Sequence, residues 1–179
     1  ARIKEKYIKN GKFSPIDILT IIPVRGSSID KQSNPFGKIG GRYLIDWTIE
    51  TAIESKYCNN TIVSTPEKSL HKYISNQYND QVTFIKRNPK YARIYYGLED
   101  TVDEVLSSFM QNNEKPDAIL ILYIDYPFKQ TWQINEVVHT MQIFDVDAVD
   151  GIIEDDRSYY RHFGKGLIPL QKTKQLRRE

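Results

Sequence analysis

Ile16-Asp17-Ile18-Leu19-Thr20-Ile21-Ile22-Pro23-Val24-Arg25-Gly26-Ser27-Ser28 is the stretch whose reading decides the fold. Its first nine residues form a short, largely β-branched apolar run without strict alternation, the pattern of a strand buried on both faces. The last four change abruptly to a guanidinium, a glycine and two hydroxyls, so a central strand is predicted to end in a polar loop. That loop continues to Gly41, and Tyr43 to Ile53 then places apolar groups at helical spacing. The order is strand, long loop, helix.

Downstream the same alternation recurs. Strands are predicted at Asn60 to Thr65, Val82 to Ile85, Asp117 to Ile124 and Ala148 to Ile153, with helices beginning near Pro66 and at about Leu98 to Gln111 and Trp132 to Phe144. Pro66 suits a first helical turn. Alternating elements imply an α/β fold with a mostly parallel sheet covered by helices. No repeat, low-complexity tract or long linker divides the chain, so residues 1–179 are expected to form one domain. Arg157 to Glu179 is basic and turn-rich and receives no element.

Composition narrows the classes of function. At 179 residues and 40% hydrophobic the chain can bury one core. Lys+Arg number 25 against 23 Asp+Glu, and a net charge of +2 is too balanced to grip a nucleic acid backbone, so no nucleic acid partner is expected. The single cysteine, Cys58, excludes an intrachain disulfide, suits a cytoplasmic location and reads as a small buried hydrophobe. No apolar run approaches the length of a membrane span, and the basic, polar opening has no apolar region behind it, so no membrane association is expected.

In open α/β sheets ligands lie beyond the carboxyl ends of the strands, which directs attention to the loops after Val24, Thr65, Ile85 and Ile124. Arg25, Gly26, Ser27 and Ser28 form a phosphate-binding inventory: glycine admits the anion to the backbone, successive N–H groups can form a nest, and arginine supplies charge and paired donors. The competing reading is an ordinary polar turn. The segment lacks the Gly-Lys-Ser/Thr of a Walker loop and the spaced glycines of a dinucleotide motif. Asp125, in Leu120-Ile121-Leu122-Tyr123-Ile124-Asp125-Tyr126-Pro127-Phe128, places a carboxylate at the same sheet edge. It can hold a Mg²⁺ ion together with phosphate oxygens, or it can cap a helix beginning near Phe128.

Ile21 to Ser28, followed by Gly40-Gly41-Arg42-Tyr43-Leu44-Ile45-Asp46-Trp47-Thr48-Ile49-Glu50, resembles in order and spacing the opening of the acylneuraminate cytidylyltransferases, the CMP-sialic acid synthetases. Asp125-Tyr126-Pro127-Phe128 is similar to a segment of the CMP-Kdo synthetases and of the spore-coat polysaccharide cytidylyltransferases, whose aspartate binds the metal. The resemblance implies a three-layer αβα, Rossmann-like fold of the nucleotide-diphospho-sugar transferase type. It implies that Pro23, Val24, Arg25, Gly26, Ser27 and Ser28 hold the CTP triphosphate, with Arg25 in the catalytic role, and that Asp125 binds Mg²⁺. Lys86-Arg87-Asn88-Pro89 is similar to a Lys-Arg-Pro element that contacts the nucleotide, which assigns Arg87. Gly97-Leu98-Glu99-Asp100 resembles a family turn, but an acidic first helical turn explains it equally.

Ile168-Pro169-Leu170 and Gln175 to Glu179 resemble a segment that faces the acidic sugar, where Arg177 and Arg178 would bind its carboxylate; a solvated basic tail is the alternative. Three departures stand out: Ile29 replaces a lysine, Asn34-Pro35 replaces Lys-Asn, and Tyr123 replaces a glutamine. The triphosphate contacts are therefore redistributed, or turnover is impaired. Family members continue past Glu179 with a second metal-binding aspartate and a dimerisation element. The resemblance thus implies that the family's C-terminal portion is missing, and it leaves a homodimer open.

The expected reaction joins CTP to an acidic sugar of the sialic acid or Kdo kind, giving CMP-sugar and pyrophosphate. Two other readings stay open: a catalytically silent nucleotide-binding module, and a glycosyltransferase-type domain using a nucleotide-sugar. No residue stands out as a general base. His71, His139 and His162 lack metal-ligand spacing, and only His162 is a candidate for the cleft.

Overall fold

A computed structural model of the chain describes residues 8–9, 12–13, 15–93, 95–152, 159–162 and 164–170. The chain divides into two compact units, residues 1–149 and 150–179. In the first, β1 (Ile8–Lys9) and β2 (Lys12–Phe13) form a small antiparallel pair. The central strand β3 (Ile18–Pro23) follows, then the two-residue strands β4 (Lys38–Ile39) and β5 (Arg42–Tyr43) and helix α1 (Leu44–Glu54). Gly40 and Gly41 turn β4 into β5 with φ +61° and +83°, the left-handed pair that a tight hairpin requires. The series continues with β6 (Asn60–Thr65), α2 (Lys68–Gln77), β7 (Thr83–Lys86), α3 (Leu98–Phe109), β8 (Ala118–Ile121) and α4 (Thr131–Phe144).

Four strands make the main sheet in the order β7-β6-β3-β8, and every pairing in it is parallel. Ile21 of β3 lies opposite Ile62 of β6 on one edge and Ile121 of β8 on the other. Parallel strands require long crossovers, and the helices that supply them cover both faces. On one face Ile22 and Val63 pack with Ile45 and Ile49 of α1, Leu70 and Ile74 of α2 and Ile134 of α4. On the other, Leu19, Ile21 and Ile62 meet Val105 of α3. The result is the expected three-layer architecture, with β3 buried from Ile18 to Ile22.

Three local expectations are corrected. Helix α2 starts at Lys68, so Pro66 lies before the helix and not in its first turn. Helix α4 starts at Thr131, and Gln133 Oε1 accepts the Gln130 backbone N–H at 2.7 Å; no helix begins near Phe128 for Asp125 to cap. The apolar run from Ala148 finds no strand partner: residues 148–152 take no regular structure, Ile152 is 88% exposed, and Ile153 lies outside the described residues. Apolar, β-branched composition makes a strand only where a neighbouring strand can pair with it. The second unit contains an antiparallel hairpin of β9 (Tyr160–His162) and β10 (Leu167–Pro169). Within it the His162 ring accepts the Gly164 N–H at 3.1 Å.

One polar cluster is built into the first face. The Asp46 carboxylate of α1, 8% exposed, accepts hydroxyl hydrogen bonds from Tyr73 at 2.9 Å and Tyr78 at 2.8 Å. Burial, then the bond to Asp46, raises the Tyr73 phenol to about 12 and raises Tyr78 as well. A phenol with a raised folded-state pKa keeps its proton where the unfolded chain loses it. Its stabilisation is therefore whole below about pH 10 and is lost as pH rises through the folded value. Tyr78→Phe is expected to lower the unfolding free energy at neutral pH by about 1–3 kcal/mol, because a buried carboxylate loses a donor. Urea denaturation from pH 7 to 11 measures this, and the variant should also show a shallower alkaline fall than the parent.

Candidate active site

Strands β3, β6 and β7 step outward in one direction, whereas β8 joins the opposite edge of β3. The loops after β3 and β8 therefore diverge, and a doubly wound sheet binds ligands in the crevice outside such a reversal point. A cleft of about 340 Å³ lies there. The loop after β3 contributes Pro23, Arg25, Asp30, Gln32 and Ser33, and the loop after β8 contributes Tyr123, Ile124 and Asp125. Arg87 enters from the end of β7, and Tyr96, Gly97 and Leu98 close the side next to α3.

The first loop has a defined internal structure. Val24 donates its N–H to the Ser64 carbonyl at 2.9 Å, which extends the β6 pairing, and its side chain is fully buried in the core. Gly26 then takes φ +80°, and its carbonyl accepts the N–H groups of Ile29 and Asp30 at 3.1 and 3.0 Å. The left-handed backbone favours glycine here, and a Cβ would also crowd Glu67, whose Cβ lies 3.2 Å from where it would stand. Ser33 Oγ accepts the Gly26 N–H at 3.3 Å and closes the loop. Arg25 Nη1 lies 3.5 Å from Asp30 Oδ2.

Arg87 is 3% exposed. Its backbone N–H donates to the Thr65 carbonyl at 3.0 Å, its guanidinium donates to the Tyr91 carbonyl, and its buried Nε has no partner among the described residues. Burial, then the neighbouring Arg25 charge, lowers its pKa to about 10, with Glu104 and Asp100 opposing. Two guanidiniums thus face one cleft, and the more buried of them keeps an unused donor. An anion with several oxygens suits two guanidiniums lining one cleft.

Asp125 lies on the opposite wall. The turn that carries it is anchored by Lys129, whose ammonium donates to the Tyr123 carbonyl at 2.8 Å and to Thr48 Oγ1 of α1 at 3.0 Å. Burial lowers Lys129 to about 8, and the Asp125 charge partly offsets this. The Tyr123 phenol is raised by burial, with Arg25 opposing. No group of three or more His, Cys, Asp or Glu able to hold a metal occurs among the described residues. A Mg²⁺ site completed by phosphate oxygens and water needs one or two carboxylates, and Asp125, which lines the same cleft as the guanidiniums, fits that requirement.

Of the residues read from sequence, the cleft brings together Pro23, Arg25, Arg87 and Asp125. Val24 belongs to the core, Gly26 shapes the loop from behind, and the exposed Ser27 and Ser28 are not among the lining residues. Arg177 and Arg178 lie outside the described residues. Lys31 is exposed, and the Lys38 ammonium sits 5.0 Å from the centre of the Tyr43 ring; neither lines the cleft. Asp30, Gln32, Ser33, Tyr96 and Lys129 were not anticipated. Their signal is the local path of each loop, which no spacing rule reveals.

Fold and cleft define a domain of the doubly wound α/β class with a cleft at its switch point. A family model described as cytidylyltransferase matches residues 19–160, and the chain belongs to that family. It is 28% identical over 126 residues to the CMP-N,N'-diacetyllegionaminic acid synthase of Legionella pneumophila, covering 70% of this chain and 53% of that protein. The chain thus spans about half the length of that relative. Among solved structures it resembles a 4-diphosphocytidyl-2C-methyl-D-erythritol synthase with TM-score 0.66 and 13% identity, over 90% of this chain and 71% of the other. It also resembles CMP:2-keto-3-deoxy-manno-octonic acid synthetase complexed with CTP, with TM-score 0.51 and 17% identity, over 70% of this chain and 47% of the other. These two likenesses establish the nucleotide-diphospho-sugar transferase fold. No helix among the described residues is long and apolar enough to cross a membrane.

Because α4 is capped at Gln130 and Gln133, Asp125→Ala is expected to change unfolding stability by less than about 0.5 kcal/mol. Gln133→Ala removes the capping acceptor and should cost about 0.5–1 kcal/mol. Urea midpoints of the two variants check this, and a loss confined to Asp125→Ala would restore the capping role.

Proposed function

We propose that the chain transfers the cytidylyl group of CTP to the anomeric hydroxyl of an acidic keto-sugar of the sialic acid or Kdo kind. The hydroxyl oxygen forms a bond to the α-phosphorus, the α–β phosphoanhydride breaks, pyrophosphate leaves, and the hydroxyl proton passes to solvent. The observation that carries this reading is the convergence of Arg25, Arg87 and Asp125 in the switch-point cleft of a cytidylyltransferase-family chain. The name of the Legionella relative, which specifies the CMP derivative of an acidic sugar, supports the substrate class.

Arg25 and Arg87 bind the phosphate chain, and Arg25 meets the charge that develops on the departing pyrophosphate. Asp125 would hold Mg²⁺, which when bound supplies further neutralisation of the phosphate oxygens. Lys129 keeps the Asp125 turn in place against α1. Positioning and charge do most of the work in such a transfer, consistent with a cleft in which no histidine lines the wall among the described residues. In the same reading Arg177 and Arg178 bind the sugar carboxylate, and the demand for CTP places the chain in the cytoplasm.

Two measurements test the proposal. Pyrophosphate release with Mg²⁺ and a panel of acidic sugars should require CTP, and calorimetric titration should show tighter binding of CTP than of ATP or GTP. Arg25→Ala should weaken CTP by about tenfold or more, with a smaller effect on CMP, which lacks the oxygens Arg25 contacts. Equal affinity for all nucleotides removes the cytidylyl assignment; turnover only with a preformed nucleotide-sugar points to glycosyl transfer.

A further inference from the structure

Asp30 places an acid inside a loop whose proposed partner is an anion. The loop itself positions this carboxylate. Asp30 N–H donates to the Gly26 carbonyl, its own carbonyl accepts the Ser33 N–H at 3.0 Å, and Oδ1 accepts the Gln32 N–H at 3.0 Å. Oδ2 is thereby turned to Arg25 Nη1 at 3.5 Å. Both side chains are about one-third exposed, at 35% and 31%. Among the described residues, the charged ones lining the cleft are Arg25 and Arg87 against Asp30 and Asp125, two of each sign. A cleft for a bare polyanion has no use for that balance.

We propose that Asp30 is an internal anion that occupies Arg25 in the empty cleft and makes the site select a polyphosphate carrying a divalent cation over a bare or small anion. The inference rests on the reading of this cleft as a nucleoside triphosphate site. A long, solvent-exposed ion pair is weak, so a phosphate chain with several oxygens displaces it, whereas one small anion gains too little to do so. Once displaced, the Asp30 carboxylate stays beside the phosphates as a like charge. A divalent cation on the phosphates reduces that repulsion, which makes Asp30 a specificity-determining residue.

Asp30→Asn tests this with little disturbance, because the amide oxygen still accepts the Gln32 N–H while the charge is gone. Calorimetric titration of parent, Asp30→Asn and Arg25→Ala with CTP alone, CTP plus Mg²⁺ and inorganic phosphate gives the readout. Asp30→Asn should tighten CTP without Mg²⁺ by roughly threefold to tenfold and tighten it less with Mg²⁺, so that the gain from the cation shrinks. Inorganic phosphate should bind measurably better to the variant than to the parent. Unchanged affinity overturns the proposal. So does a loss confined to the Mg²⁺ titrations, which makes Asp30 a metal ligand, or a loss in every titration, which makes it a structural brace. Asp30→Ser, whose hydroxyl can also accept the Gln32 N–H, is judged by the same outcomes if the asparagine variant does not fold. If Arg25→Ala loses CTP and Asp30→Asn gains nothing, only the role of Asp30 falls; if Arg25→Ala has no effect, the cleft reading and the role of Asp30 fall together.

Discussion

Leu19, Thr20 and Ile21 are each paired on two sides, to Asn60, Thr61 and Ile62 across one edge and to Ile119, Leu120 and Ile121 across the other. A fully buried backbone is tolerable only when its N–H and C=O groups find partners, and these two ladders provide them. The same ladders dictate the rest. Parallel neighbours need crossovers, the crossovers become α1 and α2 on one face and α3 on the other, and the loops leaving β3 and β8 are forced apart. The cleft is a consequence of that divergence, and the residues next to it inherit their placement from strands that have little freedom to move.

How much of this was legible in the sequence depended on whether a residue's signal was local. Ile18 to Ile22 announces itself as an apolar, β-branched run broken only by Thr20, and Asn60 to Thr65 by the β-branched Thr61, Ile62, Val63 and Thr65. The run from Ala148 is interrupted by Asp150-Gly151, a turn pair, and its described residues 148–152 form no strand. Arg25 and Asp125 were readable as end-of-strand residues, and Arg87 through the resemblance. That Arg87 is buried with an unused donor depends on the packing of three separate loops and leaves no mark in its neighbours. Lys129 is similar: it reads as a surface lysine, and only the approach of α1 makes it a half-buried anchor.

Two of the buried polar atoms left unmatched among the described residues lie beside the cleft. Arg87 Nε and Glu67 Oε2 are both buried without hydrogen-bond partners among the described residues, and Glu67 packs against Gly26 at the back of the loop after β3. An unsatisfied buried donor such as Arg87 Nε costs the fold stability. A ligand that satisfies Arg87 recovers part of that cost on binding and stabilises the folded state accordingly. The Asp46 cluster with Tyr73 and Tyr78 is the contrast: it is equally polar, its donors and acceptors are matched, and it lies in the helical layer where no ligand is needed.

The departures from the family's loop acquire a physical account in this setting. Asn34 and Pro35 lie on a segment that serves α1: the Pro35 carbonyl accepts the Ile45 N–H at 3.1 Å and the Gly37 carbonyl accepts the Leu44 N–H at 2.8 Å. These bonds satisfy donors that the start of a helix leaves unpaired, and α1 has no side-chain cap to do so. Ile29 likewise contributes through its backbone, donating to the Gly26 carbonyl, and none of the three lines the cleft. Among the described residues lining the cleft, positive charge therefore comes from Arg25 and Arg87, which two aspartates balance. A triphosphate entering a cleft with no net charge gains less from electrostatic attraction than it would from a lysine-rich loop, so binding must draw on directed hydrogen bonds and on whatever cation the nucleotide brings with it.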